Sequence, residues 1–265
     1  MLLPQLIAIA VLQGSTEFLP ISSSGHLILL PYISGWPDHG LAYDVAAHFG
    51  TLIAVIVYFR SDLHNMLSRW CKSLSGGPAY EDSKLGWAVI WATIPVAMIG
   101  WLTRDFISLQ LRDPVIIAVT TIGFGVILWL ADWFGKRVRI TTTLRWSDIA
   151  LIGFAQSLAL IPGTSRSGIT ISVGLALGFT RSAAARISFL LAIPVILLAT
   201  GYEAWRLFES GVVVDWAGVL IVVAGASLSA FLCIGILLRI LEKVGVLPFV
   251  LYRFALGTVL LTVYL

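Results

Sequence analysis

The sequence predicts an all-α integral membrane protein, with six transmembrane helices and two re-entrant helix–loop–helix hairpins in two inverted-topology repeats. Three observations predict this. First, of 265 residues 58% are hydrophobic and 12% charged, and mean hydropathy is +0.96. So few charges cannot cover a water-exposed surface, and so much apolar content excludes a disordered chain. Second, six apolar runs are long enough to cross the hydrocarbon as helices. Third, two further apolar segments are broken at their centres by Pro, Ser and Gly.

The six runs are Leu41–Phe59, Leu85–Leu102, Pro114–Phe134, Ala183–Thr200, Trp216–Leu238 and Pro248–Leu265. Trp87, Trp101, Trp133, Trp205 and Trp216 fall near their ends, where an interfacial aromatic belt belongs. The N-terminus has no basic stretch and no small-residue cleavage site, which argues against a cleaved signal peptide. Cys71, in an expected loop, and Cys233, in an apolar run, have neither disulfide nor metal-ligand spacing.

The broken segments are residues 2–33 and 148–178. Their centres read Gln13-Gly-Ser-Thr-Glu17-Phe-Leu-Pro20-Ile-Ser22-Ser23-Ser24-Gly25-His26 and Gln156-Ser-Leu-Ala-Leu-Ile-Pro162-Gly-Thr-Ser165-Arg166-Ser167-Gly168-Ile-Thr170. Each break frees backbone polar groups, which at membrane depth must find partners in protein or a water-filled cavity. The centres are similar, with a one-residue shift after the proline, and suggest repeats of about 1–134 and 146–265 within one membrane domain, 1–265.

Loop charges test this topology. If the first hairpin returns to its own side, one face receives Arg60, Arg69, Lys72, Lys84, Lys136, Arg137, Arg139, Arg145, Arg181, Arg186, Arg239 and Lys243. The other receives Arg104, Arg112 and Arg206. The positive-inside rule makes the basic face cytoplasmic. The hairpins then enter from opposite sides, and both termini lie outside. Arg253, inside an apolar segment, is expected to snorkel to the cytoplasmic interface. The net charge of +3 and the lack of a basic, aromatic-interleaved stretch give no sign of a nucleic-acid partner.

The chemistry concentrates in the broken centres. Gln13 and Glu17 share a helix face, and an intramembrane carboxylate is a functional candidate by default. Ser22, Ser23 and Ser24 supply helix caps or a nucleophile, and His26 an acid or base one turn later. Arg166, with Ser165, Ser167, Thr170 and a resuming helix N-terminus, suits a phosphate. Bland alternatives stand beside these: Glu17 bracing the loop or pairing with Arg166, serines that only cap, a buried structural His26. His48 is a weaker candidate for the same cavity. His39 and His64 are expected in solvated loops. A divalent cation such as Mg2+ is admissible, although no cage of metal ligands is visible. Paired broken helices also fit a transporter or lipid flippase.

On these two centres, with Ile187-Ser-Phe-Leu-Leu-Ala-Ile-Pro194 and Pro248-Phe-Val-Leu-Tyr-Arg253 in support, the chain resembles the undecaprenyl-diphosphate phosphatases, or bacitracin-resistance proteins. The resemblance covers essentially the whole length. It implies hydrolysis of undecaprenyl diphosphate to undecaprenyl phosphate and phosphate in the bacterial inner membrane, which recycles the carrier for peptidoglycan. It implies active-site positions at Glu17, Ser23, His26, Ser165, Arg166 and Thr170. Catalysis is thus assigned to Glu17, Ser23, His26 and Arg166, and substrate contacts to Gln13, Ser22, Ser24, Ser165, Ser167 and Thr170. The attacking group, Ser23 or a water oriented by Glu17, stays open, as does a homodimer. Where the family's motif has Glu or Gln, this chain has Gln13, which cannot act as a general base.

Overall fold

A computed structural model describes residues 1–74, 81–111 and 113–264. Its helices are α1 (Leu3–Thr16), α2 (Ser23–Ser34), α3 (Leu41–Tyr58), α4 (Arg60–Leu74), α5 (Glu81–Gln110), α6 (Pro114–Phe134), α7 (Trp146–Gln156), α8 (Arg166–Ala176), α9 (Arg181–Glu209), α10 (Trp216–Lys243) and α11 (Leu247–Tyr264). Six of these, α3, α5, α6, α9, α10 and α11, are long and apolar enough to cross a membrane. Four of the expected runs fall within them, and the run Leu41–Phe59 ends one residue later, at the residue that caps α3. Helices α5, α9 and α10 extend past the expected ends, because the flanking polar segments are themselves good helix formers. Arg112 and Leu265, used in the charge count and the last expected span, lie outside the described residues.

The segment after α3, expected as a loop, is the amphipathic helix α4. Its Leu63 and Met66 pack on the core, and Trp70 meets Trp87 edge to face with ring centroids 5.5 Å apart. Cys71 and His64 sit on its exposed side. His39 is not solvated as expected. It packs before α3 and its Nε2 lies 2.8 Å from Asp44 Oδ1. Burial pushes its pKa down, but the bond to Asp44 and the charges of Asp44 and Asp38 outweigh burial and raise it above normal.

Close helix contact depends on small residues, as expected where lipid gives helices no hydrophobic incentive to associate. Gly218, Val222, Ala226 and Ala230 bury one stripe of α10. Helices α1 and α3 lie against α10, and a Cβ on Gly14 would sit 2.6 Å from the Ala226 carbonyl oxygen, one on Gly50 2.6 Å from that of Val223. Ser229 Oγ donates across the contact to the Ala10 carbonyl and Ser227 Oγ to that of Gly50. In the other half α7 lies on α5, where a Cβ on Gly153 would sit 2.8 Å from Ala92 Cα. Each broken segment therefore packs against a long helix from the opposite half of the chain. The element order also recurs: helix, break, helix, then long helices, once in α1–α6 and again in α7–α11.

Candidate active site

The first break arises at Pro20, which lacks an N–H and disfavours helix at Leu19. The chain turns, and Ser22 takes φ +73°, rare for a residue with a Cβ. Its Oγ accepts the Gly25 N–H at 3.3 Å and caps α2. The second break repeats this device. After a short 3₁₀ turn, Ser157–Leu160, Gly163 adopts φ +90°. A Cβ there would collide with Thr120 Oγ1 and sit 2.6 Å from the Ile117 carbonyl oxygen, so only glycine fits. Ser165 then takes φ +71° and its Oγ accepts the Gly168 N–H at 3.1 Å, capping α8.

Aligning the two cap serines removes the one-residue shift expected after the prolines. Gln13 precedes Ser22, and Gln156 precedes Ser165, by the same nine residues. The prolines are not equivalent, but the glutamines and caps are. Ser23 and Arg166 thereby hold matching places, the first residues of α2 and α8.

The tips touch. Ser167 Oγ donates to the Leu19 carbonyl at 2.8 Å, and Ser165 Oγ to the same oxygen at 3.5 Å. The main strut between them is Arg253, which is 0% exposed. Its Nη1 donates to the carbonyls of Pro20 (3.1 Å) and Thr164 (3.0 Å), its Nη2 to Gly163 (2.9 Å) and its Nε to Thr121 (2.9 Å). This overturns the expected snorkelling. The freed carbonyls of both breaks need donors at depth, and a guanidinium supplies several from one fixed plane.

Glu17 lies at the centre of the junction, 8% exposed. Its Oε2 accepts the Ser23 hydroxyl at 2.6 Å and the Gln13 Nε2–H at 2.8 Å. Its Oε1 accepts Arg166 Nη2 from the other tip at 3.4 Å. Arg166 Nη1 is steadied by the Ser188 carbonyl at 3.1 Å. His48 joins from α3, with Nε2 4.0 Å from Glu17 Oε2 and Nδ1 on the Asp44 carbonyl.

The other candidates are distributed differently. Ser24 is exposed at the rim, with its Oγ 3.4 Å from Ser22 Oγ. Thr170 is buried and its Oγ1 donates to Ser188 Oγ at 2.7 Å. His26 turns both ring nitrogens away from Ser23: Nδ1 lies 2.7 Å from the Ser22 carbonyl and Nε2 2.6 Å from the Tyr252 hydroxyl. A carbonyl only accepts, so Nδ1 carries the proton and Nε2 accepts from Tyr252. Sequence reasoning did not assign Tyr252 or Ser188 to the site, although both lie in the stretches that support the family resemblance, residues 248–253 and 187–194. Among the described residues no group of three or more His, Cys, Asp or Glu is placed to hold a metal ion.

The arrangement holds a hydroxyl on a carboxylate beside a guanidinium at the start of α8, which suits attack on an anionic phosphorus centre. Residues 6–259, spanning both tips, match the family described as Bacitracin resistance protein BacA. The chain belongs to this family. It is 52% identical over 263 residues to undecaprenyl-diphosphatase 2 of Stutzerimonas stutzeri, covering 98% of this chain and 97% of the relative. It is 53% identical over 255 residues to an undecaprenyl-diphosphatase of Nitrosococcus oceani, covering 96% of each. A third relative, undecaprenyl-diphosphatase 1 of Pseudoalteromonas translucida, is 51% identical over 253 residues, covering 96% of this chain and 95% of the relative. Membership thus reaches from α1 to α11 and includes the Arg253 strut as well as the two tips.

Proposed function

We propose that this chain hydrolyses undecaprenyl diphosphate to undecaprenyl phosphate and phosphate, returning the lipid carrier to peptidoglycan synthesis. The reading is carried by one arrangement: Ser23 and Arg166, from different hairpins, on the two oxygens of Glu17. Its names come from relatives of about half identical sequence over nearly the whole chain.

In the proposed reaction the diphosphate displaces the resting Glu17–Arg166 pair, and Arg166 binds the terminal phosphoryl oxygens at the positive end of the α8 dipole. Ser23 Oγ attacks the terminal phosphorus as its proton passes to Glu17. The anhydride P–O bond breaks, and undecaprenyl phosphate leaves with the proton that Glu17 took from Ser23, while His26, its Nδ1–H on the Ser22 carbonyl and its Nε2 on the Tyr252 hydroxyl, holds the start of α2 in place. Water then attacks the phosphoserine, Glu17 takes its proton and returns it to Ser23 Oγ as the Oγ–P bond breaks, and phosphate departs. Gln13 orients Glu17 and does not act as a base. Ser22, Ser165, Ser167 and Thr170 hold the tips in place, and Ser24 meets the substrate at the rim.

A divalent cation such as Mg2+ fits beside this cluster. Gln13 Oε1 is buried without a hydrogen-bond partner and adjoins the Glu17 carboxylate. Those two groups would hold it, and when bound it neutralises charge on the diphosphate. Every residue in the scheme comes from one chain, so a homodimer would not complete the site. The charge bias supports inner-membrane placement with both termini and the catalytic mouth on the outer side, and hairpins inserted in inverted repeats.

Phosphate release by purified protein from undecaprenyl diphosphate tests the reading, with Glu17→Ala and Arg166→Ala beside it. Release by the unaltered chain and loss of roughly a thousandfold or more in both variants is expected. Equal release by all three, or none, contradicts it and favours the flippase, which the recurring broken helices also suit.

A further inference from the structure

An apolar groove of about 610 Å³ lies between the first half of α3, the last half of α9 and the start of α10. We infer that this groove is the binding site for a short stretch of the substrate's polyprenyl tail beyond its first isoprene unit. The inference rests on the hydrolase reading and assigns it a second subsite.

Three observations carry it. The groove shares helices α3 and α9 with the catalytic cluster. Phe49, in its wall, is next to His48, which faces Glu17, and Leu52 lines it one turn deeper. On α9 the wall runs from Leu197 to Phe208, along the same helix whose Ser188 steadies Arg166. The two helices that carry the polar partners of a bound diphosphate, α3 and α9, therefore also carry the apolar walls of the groove.

The lining is the second observation. It contains no Asp, Glu, Lys or Arg, and its small residues Ala42, Ala46, Gly201 and Ala204 leave room beside Phe49 and Leu52. Such a surface accepts a branched hydrocarbon and offers a phosphate no charged partner, its hydrogen-bonding side chains being Thr200 and Trp216. The volume lies within the range of small-molecule sites, so it suits a short stretch of tail, with the rest in lipid.

The third observation is Gly201. In mid-helix a glycine is less stable than alanine and is kept for a reason of space or geometry. Here φ is ordinary, and an added Cβ would meet nothing within 4 Å. No neighbouring helix demands this glycine, unlike Gly14 or Gly50. It leaves open the groove itself.

The test fills the groove without crowding a helix contact. Gly201→Phe, with Gly201→Ala as the control, is assayed on undecaprenyl diphosphate and on dimethylallyl diphosphate, whose single isoprene unit is too short to occupy the groove. Gly201→Phe is expected to raise KM for the long substrate about tenfold with kcat kept, and to leave the short substrate's KM within about twofold. Equal KM changes for both substrates, or none for either, would overturn the inference. A second arm needs no turnover: a benzophenone amino acid at position 201 should label polyprenyl diphosphate in detergent–phospholipid micelles. Label found only on phospholipid would show an ordinary lipid contact and sink the groove assignment. Failure of the unaltered chain to hydrolyse either substrate would instead count against the hydrolase reading, and the labelling arm would still decide the groove.

Discussion

At Ser22 and at Ser165 the chain enters a short helix through the same strained cap, a serine near φ +70° whose hydroxyl accepts an amide three residues on. The residue after the cap differs: Ser23 at one tip and Arg166 at the other. Two matching scaffolds thus present a hydroxyl and a cation to one carboxylate, Glu17. The backbone device is shared because both breaks face the same problem, freed polar groups at membrane depth. In the proposed reaction the side chains diverge because phosphoryl transfer needs a nucleophile and an anion clamp on opposite sides.

Removing what the tips share should do the most damage. Arg253→Leu leaves four carbonyls without their donor, and a loss of about 3–5 kcal/mol of stability is expected along with activity. A thermal melt in detergent reads this, and a melting temperature near that of the unaltered chain would dismiss the strut. Removing what distinguishes the tips should spare the fold. Ser23→Ala is expected to lower kcat roughly a thousandfold, and Arg166→Lys to lower kcat/KM about a hundredfold because the fork is lost, both with unchanged melting. Trapping phosphate on residue 23 by rapid quench and mass spectrometry would separate serine attack from water attack.

The caps give a smaller, matched effect. Ser22→Gly and Ser165→Gly relieve the positive φ while losing the cap bond and, at Ser165, the long 3.5 Å bond to the Leu19 carbonyl, so each should change stability by under about 0.5 kcal/mol. Alanine at either position keeps the strain and loses the bond, costing about 1–2 kcal/mol. Unequal costs at the two sites would break the equivalence. The smallest effect lies outside the tips, at His39. Its raised pKa means that the Asp44 bond is fully charged below the ordinary histidine value of 6.5 and weakens as pH rises through the folded-state value. His39→Gln should therefore lower the melting temperature slightly at pH 6, by less than about 2 °C, and not at all at pH 9. A larger loss at pH 9 would reverse the sign and contradict the assignment.

The six long helices and both breaks were legible because length, apolarity and Pro-Ser-Gly punctuation are local signals. Glu17 and Arg166 were legible because charge at membrane depth is conspicuous. Arg253 was misread for a related reason. Near the end of an apolar run, snorkelling is the ordinary outcome, and its partners Pro20, Thr121, Gly163 and Thr164 are brought to it only by the fold. His26 was read from its distance along the chain to Ser23, but the helix turns its ring toward Tyr252, far away in sequence. Helix α4 was read as a loop because its charge density hid a single apolar face. The equivalence of the tips was blurred by counting from the prolines, which bend each turn differently, whereas the caps mark where each second helix must begin.

The central claim is that two broken segments from opposite halves meet through residues 17 and 166. Cysteines at both positions, in a chain whose Cys71 and Cys233 are replaced by serine, test it in native membranes with a flexible bis-thiosulfonate linker. Rapid intramolecular linkage of 17 to 166, with none between 166 and a control cysteine at exposed position 67, is the expected result. Labelling of both single cysteines with no linkage between them would contradict the account.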